Sequence, residues 1–196
     1  MKPFAESSAE NRQPIFEVIE PLLSDCKTVL EIGSGTGQHA VYFSEELPHV
    51  TWQCSDLKEN HAGISMWIEE SGLNNVLNPI ELDTLNSPWP EQSFDAVFSA
   101  NTVHIMHWSM VEGLFAGLPK VMKAGSKFML YGPFNYNGDY TSESNARFDE
   151  WLKDRDQGSG IRDFEKLDKL ANDVGLTLIN DFEMPVNNRL LYWQMS

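Results

Sequence analysis

Glu31, Gly33, Gly35 and Gly37 alternate along one short turn. The apolar run Val29-Leu30 precedes it, and Gln38-His39-Ala40-Val41-Tyr42-Phe43, which can start a helix, follows it. A strand–glycine turn–helix unit lets a nucleotide-like cofactor approach the backbone, because glycine has no Cβ and tolerates positive φ. Two registers compete. Gly33-x-Gly35-x-Gly37 suits a loop that holds S-adenosylmethionine, whereas Gly35-x-Gly37-x-x-Ala40 suits the dinucleotide fingerprint. Charge separates them. A dinucleotide brings a pyrophosphate that wants free N–H groups and no nearby carboxylate. S-adenosylmethionine brings a cationic reactive end, beside which Glu31 would sit.

Further carboxylates lie where such a ligand would need them. Asp56 is about 20 residues past the loop, the spacing at which an acid accepts ribose hydroxyls. Asp83 could reach an exocyclic amine, with Thr84 or Leu85 against the ring. Ser34 and Leu57 complete the expected cofactor set of Glu31, Gly33, Ser34, Gly35, Gly37, Asp56, Leu57, Asp83, Thr84 and Asn101. Three acids around one ligand suit a cation and disfavour pyrophosphate. Methyl transfer itself needs alignment and exclusion of water more than acid–base machinery.

Asn101-Thr102-Val103-His104 follows the fourth expected strand, and Asn101 and His104 are the polar residues nearest a transferred methyl. His104 is the candidate base or orienting donor; a His that merely bridges loop carbonyls is its bland alternative. Tyr131 closes the fifth strand and is the third candidate catalytic residue. His104-x-x-His107 lacks a third ligand, so no metal is expected. Residues 132–160, rich in aromatics, read as a lid-like insertion on the ligand face. Tyr136, Tyr140, Asn187 and Asn188 are the substrate candidates, and Arg147, Trp151 and Arg155 could also select substrate. Arg162 either does the same or pairs with Asp163, and Arg155-Asp156 reads as a structural ion pair.

The elements that must position these residues follow from punctuation and periodicity. Strands are expected at 27–32, 50–55, 77–82, 94–99 and 127–131, then in succession at 176–183 and 189–194. Helices are expected at 14–23, 38–47, 60–71, 109–123, 142–156 and 163–174. Ser7-x-x-Glu10 and Ser109-x-x-Glu112 resemble capping boxes. Gly72 closes one helix and Gly125 another, and Pro119 predicts a kink. Alternating strands and helices that end on two successive strands give a Rossmann-like, doubly wound, seven-stranded α/β sheet with one antiparallel strand. The 196 residues suit a single domain over 1–196.

Composition narrows the partners. A net charge of −15 repels phosphate backbones, so nucleic acid is disfavoured and a small molecule is the expected acceptor, ahead of a protein. No apolar run approaches membrane-spanning length, and Met1-Lys2-Pro3-Phe4 has no signal-peptide character. Cys26 and Cys54 form no CxxC and read as reduced thiols, which makes the expected compartment the cytoplasm. Oligomeric state is not legible.

Glu31-x-Gly33-x-Gly35-x-Gly37, Asp56 and Asp83 resemble the cofactor motifs of class I S-adenosylmethionine-dependent methyltransferases. More narrowly, the chain resembles the methyltransferase-like twenty-six family, also catalogued as a domain of unknown function. Ala9-Glu10-Asn11-Arg12-Gln13-Pro14-Ile15, Asn101-x-x-His104, Tyr131-Gly132-Pro133-Phe134, Thr141-Ser142-x-Ser144-Asn145-x-x-Phe148-Asp149, Gly160-Ile161-Arg162-Asp163 and Met184-Pro185-x-Asn187-Asn188 carry that likeness. It implies the Rossmann-like methyltransferase fold and an S-adenosylmethionine cofactor, and it names no substrate. Gln157 and Val186 depart mildly from its pattern. A non-catalytic cofactor-binding module and a nicotinamide oxidoreductase are the alternative functions.

Overall fold

The computed structural model describes residues 2–196. Strands β1 (Thr28–Ile32), β2 (Thr51–Asp56), β3 (Val76–Glu81), β4 (Phe94–Ala100) and β5 (Met122–Gly132) are joined through helices α1 (Glu6–Leu23), α2 (Gln38–Glu46), α3 (His61–Ser71) and α4 (Trp108–Val121). A two-residue strand β6 (Phe134–Asn135), helix α5 (Glu143–Arg155), a second short strand β7 (Arg162–Asp163) and helix α6 (Phe164–Asp173) follow. The chain then ends on β8 (Leu176–Met184) and β9 (Asn188–Met195). The main sheet has the order β3-β2-β1-β4-β5-β9-β8. Strand β9 runs antiparallel to both β5 and β8, and the other main-sheet pairs are parallel. The expected seven-stranded, doubly wound sheet with one reversed strand is the observed fold.

Alternation along the strands builds two cores. Val29, Trp52, Cys54, Phe98 and Met129 face one side, where they meet Ile15, Ile19 and Leu23 of α1, Phe43 of α2 and Ile64 of α3. Leu30, Val97, Phe128, Leu130 and Trp193 face the other, against Val111, Leu114, Phe115 and Leu118 of α4 and Leu167 and Ala171 of α6. Period-2 strands between period-3.6 helices produce this three-layer arrangement.

Several local expectations are corrected. Helix α1 begins at Glu6 rather than at Pro14, and its N-cap is Ala5, so Ser7 is helical and makes no capping box. Pro14 and Pro21 lie inside it. The hydrogen bonds they forgo are offset by the buried stripe Ile15, Ile19, Leu23. Helix α4 is capped at His107 without a side-chain bond, so Ser109 caps nothing. Gly125 is not the residue after α4. The helix ends at Val121, and Gly125, at φ 85°, lies in a bulge where the β4–β5 register shifts between Phe94 and Ala96. Ser142 does cap α5, accepting from Asn145 N. The two-residue β6–β7 ladder was not anticipated; elements that short leave no periodicity to read.

Gly72 and Gly37 both hold positive φ, at 66° and 89°. A Cβ on Gly72 would meet open space, whereas one on Gly37 would lie 3.1 Å from the Ile64 backbone. Gly72→Ala is therefore expected to cost only the left-handed penalty, about 1–2 kcal/mol. Gly37→Ala adds overpacking between α2 and α3 and is expected to cost about 2–5 kcal/mol. Urea unfolding of the two variants tests this, and equal midpoints would refute the packing role assigned to Gly37.

Candidate functional site

In a doubly wound sheet the connections part where the strand order reverses, here between β1 and β4. A cleft of about 750 Å³ opens at that point. Its walls include Ile32, Gly33, Ser34 and Gly35 after β1, Asp56 and Leu57 after β2, Leu82, Asp83 and Thr84 after β3, and Asn101 and Thr102 after β4. Of the expected cofactor residues, the cleft gathers Gly33, Ser34, Gly35, Asp56, Leu57, Asp83, Thr84 and Asn101. Glu31 and Gly37 do not line it. Gly37 is the αL residue preceding α2 and makes room for Ile64. Gly33 likewise makes room, since a Cβ there would come within 2.5 Å of Thr102 Cγ2. Only Gly35, at φ 57°, faces open space.

Four N–H groups of the glycine loop are bonded within the protein. Gly33 N and Ser34 N both donate to Ser55 O at 3.0 Å, and Gly37 N donates to Ser34 O at 2.8 Å. Gly35 N donates to Asp56 Oδ2 at 2.7 Å. Asp56 Oδ1 accepts from Leu57 N and from Asn60 Nδ2, each at 2.7 Å. Asp83 accepts from Leu85 N at 2.9 Å and Asn86 Nδ2 at 2.8 Å, and these bonds hold its carboxyl below the usual range. The charged side chains of this cleft are Asp56, Glu59 and Asp83, with no Lys or Arg among the described lining residues.

Glu31 sits behind the loop on the α1–α3 side of the sheet. Burial pushes its carboxyl up to about 7; hydrogen bonds from Ser34 and Trp52 work against that rise and the Asp56 charge adds to it. Trp52 Nε1 donates to Glu31 Oε2 at 3.2 Å. Glu31 does not itself line the cleft: it is buried beneath the loop, bonded to Trp52 and to Ser34, which is on the cleft wall.

A second cleft of about 560 Å³ adjoins the first and shares Ser7, Asn101 and Ile105 with it. Asn101 stands at the junction with φ 57°, a conformation Asn tolerates, and its N–H donates to Tyr131 O at 2.9 Å. His104, Tyr131 and Asn188 line this second cleft with Asn11, Asn145, Phe148 and Trp151. His104 is 5% exposed, and its Nδ1 has no protein partner. Burial, assisted by the Arg162 guanidinium, lowers its pKa to about 4, so the ring is neutral at pH 7. Burial pushes the Tyr131 phenol up to about 12, which makes it a donor and not a base at neutral pH.

Three substrate candidates lie outside both clefts. Tyr136 donates to Asp181 Oδ2 at 2.7 Å and stacks on Phe164 with centroids 5.3 Å apart. Tyr140 donates to Asp149 Oδ2 at 2.5 Å. Asn187 turns its side chain to Ser144 Oγ at 3.3 Å, leaving its neighbours Val186 and Asn188 on the wall. The expected ion pairs are rearranged as well. Asp156 pairs with His107 at 2.8 Å, Arg155 lies over the Trp151 ring at 4.5 Å, and Asp163 pairs with Lys166 at 2.8 Å. Arg147 reaches only Glu143, at 3.8 Å on the surface.

Residues assigned other roles or none from the sequence hold the His104 loop in place. Arg162 Nε donates to Val103 O at 2.9 Å, and its Nη2 reaches Met106 O and Gly158 O. Gly160 N donates to His104 O at 2.8 Å. Asp149, buried and drawing Tyr140, Lys153 and Ile161 N onto one carboxylate, fixes α5 to the same segment. Pro3, Ala5, Ser7 and Ser8 line the first cleft and Glu10, Asn11 and Pro14 the second. The motif 9–15 marked part of that region without showing its place.

Comparison with known proteins follows this geometry. A model of the family described as a protein of unknown function, DUF938, matches residues 2–195. The sterol 24-C-methyltransferase ERG6B of Gibberella zeae is 30% identical over 147 residues, covering 71% of this chain and 36% of that protein. The chain thus spans little more than a third of that relative. Among solved structures, an O-methyltransferase family protein from Burkholderia thailandensis superposes with a TM-score of 0.83 at 17% identity, covering 94% of this chain and 56% of that one. Human N-acetylserotonin methyltransferase, solved in complex with SAM, gives 0.81 at 15% identity, covering 97% and 53%. These superpositions establish the Rossmann-like methyltransferase fold.

Glu31 gives a pH test. Its folded pKa of about 7 exceeds the ordinary 4.5, so between those values the folded chain holds a proton that the unfolded chain has lost. The Glu31 contribution to stability is full below about 4.5 and lost as pH rises through 7. Glu31→Gln cannot lose it. Urea unfolding should show Glu31→Gln gaining on the parent chain from pH 5 to pH 8; a difference that does not change with pH would refute the raised pKa.

Proposed function

The chain belongs to the DUF938 family, and on that premise we propose that it is an S-adenosylmethionine-dependent methyltransferase acting on a small molecule. The observation that carries the reading is the glycine loop whose N–H groups at Gly33, Ser34, Gly35 and Gly37 are already bonded within the protein. Such a loop offers a pyrophosphate little, and the acids Asp56, Glu59 and Asp83 with no basic partner on the wall repel one. The same wall attracts a cation. Its donor set fits the methyl donor: Asp56 for ribose hydroxyls, Asp83 for an adenine amine, and Leu82, Met106 and Met110 for the ring. Gly35, open to space, admits close backbone approach.

When bound, S-adenosylmethionine supplies a methyl group on a sulfonium that is already a good leaving group. The residues of this chain then have three tasks. Asp56 and Asp83 orient the nucleoside. Asn101, on both walls, sets the boundary between donor and acceptor. His104, neutral at pH 7, is ready to take a proton from the acceptor, and Tyr131, protonated there, donates a hydrogen bond. The short aliphatic and aromatic walls exclude water from the acceptor side. Cys26 and Cys54 are buried as free thiols, and on that chemistry the reading places the enzyme in a reducing compartment, the cytoplasm.

S-adenosylhomocysteine should raise the melting temperature and NAD should not. A shift with NAD alone, at millimolar ligand, would overturn the proposal. Asp56→Ala should weaken S-adenosylhomocysteine binding at least about tenfold in calorimetry, since about 1.4 kcal/mol is one decade and a charge-assisted bond contributes about that or more. Unchanged affinity in a folded variant would take Asp56 out of the site.

His104→Gln keeps bulk and removes the base. It should hold S-adenosylhomocysteine affinity within about twofold and lower turnover on a methylated acceptor by about 10²–10⁴. Loss of affinity and melting temperature together, with turnover per bound enzyme preserved, would reduce His104 to a loop brace.

A further inference from the structure

The second cleft carries information about its ligand that the fold does not. Its described lining holds one charged residue, Glu10, which is exposed at the rim, and no Lys or Arg. An anionic acceptor would therefore find no counter-charge on the described wall itself, since Arg162 is bonded to the carbonyls of Val103, Met106 and Gly158 and Arg155 lies over Trp151, and it would lose its hydration, a costly transfer. The chain's net charge of −15 opposes it further. The apolar side of the cleft carries two aromatic rings. Phe148 and Trp151 stack with centroids 5.8 Å apart and planes 18° apart, and Phe148 meets His104 edge-on at 5.4 Å. At the mouth, Ile105, Trp151 and Val186 are 57%, 50% and 80% exposed, which are unusual values for large apolar side chains. The polar side is neutral: Asn11, Asn101, His104, Tyr131, Asn145 and Asn188. Asn101, which also lines the first cleft, is on that polar side.

Resting on the methyltransferase reading above, we infer that the acceptor is an uncharged, flat and largely apolar molecule, lying against Phe148 and Trp151 with its polar end toward Asn101 and His104. Trp151 and Val186 then decide which molecules enter, since both stand at the mouth and neither is needed for the core. Val186 holds φ 59°, rare for a β-branched residue, and this keeps its side chain on the cleft wall.

Binding of 2-naphthol, 6-hydroxy-2-naphthoate and 6-(aminomethyl)-2-naphthol to the full chain, with and without S-adenosylhomocysteine, tests this by calorimetry. The neutral naphthol should bind at least about tenfold more tightly than the carboxylate. Trp151→Ala should weaken naphthol about tenfold and leave S-adenosylhomocysteine affinity unchanged. Val186→Lys, at an exposed position, should narrow the gap by improving the carboxylate. Equal or tighter binding of the carboxylate, tighter binding of the ammonium compound, no naphthol binding at millimolar concentration, or indifference to Trp151→Ala would each overturn the inference. S-adenosylhomocysteine binding is read separately: its absence overturns the methyltransferase reading, whereas a failed naphthol series beside intact S-adenosylhomocysteine binding overturns the acceptor class alone.

Discussion

Parallel strands must be joined by right-handed crossovers, and this constraint decides where the molecule can bind anything. With β2 and β3 on one side of β1 and β4 and β5 on the other, the chain leaves β1 and β4 in opposite directions. The connections part, and a crevice remains that no side chain of the sheet can fill. The glycine loop, Asp56, Asp83 and Asn101 reach it because each follows a carboxyl end, and α1 reaches it because its first turns lie across the same edge. The reversed strand β9 extends the principle. Its connection from β8 brings Val186 and Asn188 to the same end of the sheet, where they wall the second cleft.

Hydrogen-bond accounting explains why this glycine loop and a phosphate-binding loop differ although both are rich in glycine. A phosphate cradle leaves N–H groups free for the ligand. Here Ser55 O, Ser34 O and the Asp56 carboxylate take them. The loop is bonded to its neighbours without any ligand, and Gly33 and Gly37 are small for the sake of Thr102 and Ile64. Electrostatics follow the same economy. Buried Glu31 is pushed toward neutrality, while Asp83 stays charged through its hydrogen bonds and remains on the cleft wall.

The segment from β6 to β7 acts through other residues. Tyr136 turns to Asp181 because a phenol that loses water needs a partner, whereas exposed Tyr140 serves the buried Asp149 carboxylate, which needs one. Arg162 spends its guanidinium on the carbonyls of Val103, Met106 and Gly158. Those bonds set the backbone on which His104 rides. The segment thus contributes Phe148 and Trp151 to the wall of the second cleft directly, and His104 indirectly through the brace.

Much was legible in the chain because it is local. Period-2 and period-3.6 patterns, with Gly72 as a stop, marked the strands and helices of the doubly wound sheet, and position after a strand was enough to bring Asp56, Asp83, Asn101, His104 and Tyr131 to one end of it. The helical start at Glu6 was hidden because Pro14 reads locally as the first residue of a helix, and only burial of Ile15, Ile19 and Leu23 against the sheet carries the helix through it. Side-chain direction and pairing were not legible. Glu31 is buried beneath the loop because its strand parity puts it on the face that carries Trp52, and that face is known only once β1 is placed in the sheet. Tyr136, Tyr140 and Arg162 find partners 45, 9 and 59 residues away or nearer. Residue type and spacing record what a side chain can do; which of several competent partners it meets depends on contacts between distant segments, which exist only in the folded chain.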